Sequence, residues 1–436
     1  MTTMTSQNEK GSELAILDLY KKNQGDAKLS ALREASIRRF EALGFPHRKH
    51  EMYTFVNTTG LASTAFSLSE TAEASAELIE NNIYPASKDS CLVFVNGAYS
   101  AKLSKVEGLK GSVQITPLSE AADRAEIMDR LIKIAGEEND VFAAINGGLC
   151  RDGILIEVAP QAKVKSPVQI LFVSQGGKSP VMHCPRIVAL AGKLSEMDLC
   201  VKYVGAGDNY FVNAKQDLFL EEGARIRHSQ FQNDATNAWH CSKLRVTLDR
   251  NSSFESTSAA SGSRLARCHF EIWLNEEGAE MKLNHIGVLH GEEQAHYYLN
   301  VHHKAPHTTS DQFFRNIVDG KSRTSFDGTV TVHPGAQLTQ SDQLVNNLML
   351  SDECHADNKP NLMIYADDVK CTHGATIGQV NEDQIFYLKT RGLSDAAARI
   401  LLTRSFAESV IQQNPFPEST EEWRKILLTK LEGSHE

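Results

Sequence analysis

The sequence predicts a mainly β body held between two helical ends, and three observations carry that prediction. From about residue 165 to 385, short β-rich runs such as "QILFVS", "RIVALAG", "LCVKYVG", "LRVTL", "GTVTV" and "NLMIYA" follow one another. Gly, Asn, Asp or Ser separates them and no amphipathic helix intervenes, which argues against alternating βαβ units. A weak repeat is the second observation. "LEEGARIRHSQF", "LDRNSSFESTSA", "LNEEGAEMKLNHI" and "VHPGAQLTQSDQL" share a polar turn, a small residue and then alternation. With Ala224, Ser253, Ala279 and Ala336 taken as equivalent, the steps are 29, 26 and 57 residues, the last close to twice the others. That period suits a β-solenoid whose rungs bury only against their neighbours; a Greek-key sandwich is the alternative that spacing leaves open. Helical periodicity in both flanks is the third observation. The chain therefore divides into a helical and α+β region at 1–164, the β body at 165–385 and a helical tail at 386–436.

The elements follow in order. Leu29, Leu32, Phe40 and Leu43 fall on one helical face, and Gly44 before Phe45-Pro46 ends that helix. "DSCLVFVNGAYSAKLS" reads as two strands around a turn at Asn96-Gly97. "SEAADRAEIMDRLIKIAGEEND" is an amphipathic helix with Ser119 as its cap. In the body, Leu244, Val246 and Leu248 alternate inward. In the tail, Ser394 caps a helix carrying Ala398, Leu402, Phe406 and Val410 at every fourth position. Ser419 and Glu422 then form a capping box, and Trp423, Leu427 and Leu431 line the last helix. Apolar stripes of this kind must cap the solenoid's open end or dock on another protein.

Composition removes several function classes. Of 436 residues, 41% are hydrophobic and 23% charged, the net charge is −10, and no face is dense in Lys or Arg. Nucleic acid and anionic membranes are therefore not expected partners. No apolar run has the length of a membrane span, and "MTTMTSQNEKGSELA" lacks the features of a signal peptide, so a cytoplasmic protein is expected. Eight cysteines without a CxxC pair fit reduced thiols, with Cys91 and Cys200 as core fillers in apolar runs. Two Walker-like stretches fail. "QGGKSP" has Phe172 where glycine is required and Pro180 where a helix should begin, and "VDGKSRTS" has Arg315 at the glycine position.

Two groups of side chains remain as candidate sites. His302 and His303 point to opposite faces of a regular strand, so only His303 and His307 could share an ion. In "ADDVKCTHGATIG", Cys371 and His373 stand at i and i+2, side by side on one face. They could be metal ligands, a nucleophile with its base, or packed side chains. Two donors do not close a metal site, so further ligands would have to come from elsewhere in the fold or from another subunit. No third orienting residue supports a catalytic dyad.

"ADDVKCTHGATIG" followed by "FYLKTRGLS" resembles the C-terminal signature of the SufB/SufD family, scaffold subunits of the Suf iron–sulfur assembly machine. "FEALGFPHRKHEMYT", "DVFAAINGGLCRDGILIEVA", "HHKAPHTTSDQFFRNIVDGKSRTSFDGTVTV" and "QSDQLVNNLMLS" resemble other parts of it, so the resemblance runs along nearly the whole chain. Length, the missing CxxC-type cluster and "DDVKCTHGAT" resemble the SufD branch. The resemblance implies a right-handed parallel β-helix and a non-catalytic scaffold in a heteromer with SufB and the ABC-type ATPase SufC. It further implies that the tail docks the ATPase. Cys371 and His373 would then lie at the interface with SufB and meet transient iron or a nascent cluster, and a homodimer would form when the chain is isolated. Cys354-His355 stand where the family has small residues, and Met363 replaces a usual Glu; the Cys354 thiol reads as incidental rather than as a ligand. Two competing readings are a polysaccharide-active β-helix enzyme and a SufB-like subunit. For the former, adjacent Asp367 and Asp368 make a poor acid/base pair because they point oppositely in a strand.

Overall fold

The computed structural model describes residues 2–23, 25–47, 49–69 and 74–432. From the first body strand onward, the chain winds into a parallel β-solenoid of about eight turns, each turn giving one strand to each of two facing sheets. The first sheet stacks Ile154–Val158, Arg186–Ala191, Tyr210–Leu220, Trp239–Leu248, Leu265–Leu274, Gln294–His303, Arg323–Val332 and His355–Ile364. The second stacks Cys91–Val95, Val168–Gln175, Glu196–Ala206, Arg225–Asn233, Ser253–Ala260, Glu280–Leu289, Thr309–Val318, Gln340–Met349 and Lys370–Gly378. Neighbouring strands of the body run parallel, which decides for the solenoid over the antiparallel Greek key.

Register sets the core. Ala189, Leu218, Val246, Ile272, Val301, Val330 and Leu362 form one continuous inward column. Leu244, Val246 and Leu248 all lie inside, as alternation predicts. The repeat is present but two of its equivalences are out of register, Ser253 by one residue and Ala336 by three. Arg225 pairs with Ser253, so Ala224 lies opposite Ser252. Glu280 pairs with Thr309 and Thr309 with Gln340, so Ala279 corresponds to Thr308 and Thr339, not Ala336. The cause is a turn that lengthens from 275–279 to 333–339 while its flanking strands keep register.

Most of the N-terminal region covers the first sheet's outer face, while Ile79 and its neighbours pack on the second sheet at Val93, Leu171, Val173 and Val204. Helix Ser30–Leu43 buries Leu32, Ile37 and Phe40, and Gly44 (φ 72°) closes it by donating its N–H to Phe40 O. The expected turn between strands at Asn96-Gly97 is present, both residues having positive φ (50° and 84°), as a twisted two-residue hairpin requires. Ser119 is not a helix cap: its Oγ bonds Asp152 at 2.7 Å, and the helix runs Ala125–Glu137. A further helix, Val141–Leu149, is buried all round and capped by Asp140. Being buried on every side and carrying Gly147 and Gly148 in its last turn, it has no amphipathic signature.

The tail helices Asp395–Ile411 and Pro417–Glu432 neither cap the open end nor leave their stripe free. Trp423, Leu427, Leu431 and Val410 pack against Phe231, Ile286, Ile317 and Leu348 on the second sheet's outer face. Ser394 caps its helix as expected, accepting from Ala397 N at 3.2 Å. Ser419 lies inside the first turn of its helix instead, and Glu422 reaches Lys202 Nζ at 2.6 Å and Tyr84 Oη. Among the described residues no helix is long and apolar enough to cross a membrane.

Candidate functional site at the open end

The last strand of each sheet, His355–Ile364 and Lys370–Gly378, has a neighbour on one side only. Between them the interior columns end in the open. Ser341 and Gln343 are each 1% exposed and point inward. Cys371 pairs with Ser341, and His373 with Gln343, so thiol and imidazole continue those two inward columns. Shared facing is thus observed, with the interior as the face. Cys371 is half-buried against the core, whereas His373, with no rung above it, is exposed. Burial, and after it the Asp342 carboxylate, push the Cys371 thiol above its ordinary pKa, a backbone hydrogen bond at Ser341 partly offsetting them. The pair is incomplete: among the described residues no three His, Cys, Asp or Glu side chains are grouped to hold a metal.

Asp367 and Asp368 lie in the turn before this strand, both exposed. Asp368 shapes that turn through its backbone, its N–H donating to Gln337 Oε1 at 2.8 Å and its carbonyl accepting from Leu338 N at 2.6 Å. Cys354 is not a third ligand. It is 1% exposed, bonds Ser351 O at 3.0 Å, and immediately precedes strand His355–Ile364. Cys371 begins the return strand after that strand has ended, so the two thiols are separated by about 30 Å of extended chain.

The histidine group does not form a metal centre. His303 is fully buried, with Nδ1 and Nε2 each 2.8 Å from a hydroxyl, those of Thr308 and Ser310. His307 is an exposed turn residue with φ 58°. The partner of His302 is His333, one rung on, at 3.4 Å, and its ring stacks on Trp273 at 3.9 Å. The strand pattern separated His302 from His303 correctly, but it could not see that the turn carries His307 away.

Other features lie beyond what the sequence signalled. Gln343, beneath His373, comes into the site only through a register set by a strand 30 residues earlier. Exposed Ile364 and Ile377 continue inward positions at the last rung, Tyr365 follows in the turn, and exposed Met363 and Leu344 lie on the outer faces of the last strands. On the tail, Phe386, Tyr387 and Leu401 stay exposed although the predicted stripe is covered. Far from the opening, a buried ion network ties the N-terminal layer to the first sheet. Glu138 meets Lys215 and Lys243, Lys243 meets Glu271, and Asp140 meets Arg267 and His269. Burial opposes its carboxylates being charged, yet the adjacent cations hold Glu138 and Asp140 below the ordinary carboxylate range.

Comparison with known proteins bears on this arrangement. Residues 13–170 match a family model described as the SufBD protein N-terminal region. Residues 172–406 match one described as SUF system FeS cluster assembly, SufBD core domain. The chain is 27% identical over 427 residues to an iron–sulfur cluster assembly SufBD family protein of Synechocystis, covering 95% of this chain and 94% of the relative. It is 26% identical over 374 residues to the iron–sulfur cluster assembly protein SufD of Escherichia coli, covering 85% of each. A chloroplastic protein of Arabidopsis thaliana is 28% identical over 400 residues, 89% of this chain and 83% of that one.

Proposed function

Because the chain belongs to the SufBD family of iron–sulfur cluster assembly proteins, we propose that it is the SufD-type, non-catalytic scaffold subunit of a SufBCD-type complex. In this reading it helps to acquire iron and build clusters at its junction with a SufB-type paralogue, and a SufC-type ATPase supplies the work. The observation that carries the reading is the open end, where two edge strands with exposed apolar side chains flank an unfinished Cys–His pair. An unpaired sheet edge is a template for further strands, and a paralogue ending in strands of the same spacing fits it best. Such a partner would bring the donors this chain lacks.

Iron is the substrate of the site. A neutral imidazole donates to it directly, whereas the Cys371 thiol must first lose a proton that its surroundings hold on to. His373 is therefore the principal donor and Cys371 the weaker one. Exposed Phe386, Tyr387 and Leu401 are the surface proposed for the ATPase, since the buried stripe is occupied by the protein's own sheet.

The test is His373→Ala in the assembled complex, reconstituted anaerobically with iron and sulfide. The heteromer and its ATPase activity should persist while cluster yield, read by absorption at matched subunit occupancy, falls several-fold. Cys371→Ser should lower it less. An unchanged yield in His373→Ala would reduce the imidazole to an ordinary polar contact at the interface.

A further inference from the structure

Several interior columns at the open end are polar beside the apolar ones, and many of their side chains are bonded to a neighbour above or below. Ser310 donates to Ser341 at 2.9 Å, and Asn347 is bonded to both Asn316 and Asn358 at 2.8 Å. Gln343 is the exception that matters. Its Nε2 donates to Gln312 Oε1, one rung down, at 3.3 Å, while its own Oε1 is buried without a hydrogen-bond partner. A buried acceptor left unbonded is unfavourable, so a donor brought within its reach is stabilised. The next residue on that column is His373, about 4.8 Å away as adjacent strands are.

A histidine that binds a metal through one ring nitrogen carries a proton on the other, and that N–H requires an acceptor to fix the ring. A carboxamide oxygen can only accept. We propose that Gln343 is the positioning residue of this site, its Oε1 accepting the N–H of the His373 nitrogen that does not bind iron. The contact sets the tautomer and plane of the ring, and Gln312 holds the carboxamide from below. The proposal rests on the reading of His373 as an iron donor and adds the residue that aims it.

Ferrous iron binding to the assembled complex, measured anaerobically by equilibrium dialysis, separates the two claims. His373→Ala defines the part of binding that depends on the imidazole. Gln343→Leu should weaken that part by about tenfold or more, and Gln343→Glu, which keeps an acceptor at the same reach, should restore it. A second readout is independent of affinity. In the zinc-loaded complex with 15N-labelled histidine, the His373 ring N–H should be protected from solvent exchange, and Gln343→Leu should abolish that protection at unchanged thermal stability. Equal iron affinity in Gln343→Leu, or an unaltered N–H resonance, overturns the proposal while leaving the iron-donor reading intact. Unchanged binding in His373→Ala overturns both.

Discussion

Cys371 and His373 share a face but not a chemistry. The thiol lies half-buried beside the Asp342 carboxylate, and both influences favour S–H over the thiolate. Its alkylation by iodoacetamide should therefore be slow at pH 7 and rise as pH climbs. Asp342→Asn, which removes the neighbouring negative charge, should lower the thiol pKa and speed alkylation a few-fold at neutral pH. Mass spectrometry of the native chain gives the rate, with Cys371→Ser supplying the background from the other cysteines, all buried; an unchanged rate would mean that burial alone sets the thiol. Spacing made the shared face legible, because i and i+2 in a strand point the same way. It could not say whether that face was inner or outer, nor that Cys354 lay at the opposite corner of the rung. Those facts come from pairings some thirty residues apart.

The tail helices show the same division between what a helix and its surroundings determine. Periodicity identified the stripes of Trp423, Leu427 and Leu431, since a helix repeats on itself. Nothing local told what would cover them, and the answer is the solenoid's own second sheet. The capping box at Ser419 lost to Pro417, which opens the helix two residues earlier at the position where proline's fixed φ is favourable. Two substitutions separate the buried side from the exposed one. Trp423→Ala should cost about 3–5 kcal/mol in urea denaturation, as large aromatic deletions in cores do. Phe386→Glu, on an exposed helix position, should change stability by only about 0.5 kcal/mol while removing capture of the ATPase in a pull-down. Retained capture would move the docking surface elsewhere.

At the scale of the whole molecule, the interior is unusual in holding neutral imidazoles. Burial pushes His228, His285, His296 and His303 down to about 3, and His183 to about 4. Their unfolded value is near 6.5, so below that pH the unfolded chain takes up protons which the fold refuses. The stability these residues allow is complete above pH 6.5 and declines as pH falls. Each would remove on the order of 2 kcal/mol by pH 5, a large share of a total of about 5–15 kcal/mol. Melting temperature should accordingly drop steeply between pH 6.5 and 5; a flat profile there would mean that the imidazoles can be protonated in place. The overall β architecture was legible because short runs repeat at a near-constant step, and only the lengthening turns blurred the count. That constant step has a metric consequence. Each rung advances the structure by about 4.8 Å, so the number of rungs is a ruler from the first body strand to the mouth. Excising one whole turn would shorten the rod by that single graduation and leave the chemistry at its end untouched. Excising one residue more from within a strand would turn the side chains beyond the cut in that strand to the outside, whereas a turn, whose length already varies from rung to rung, would absorb the loss.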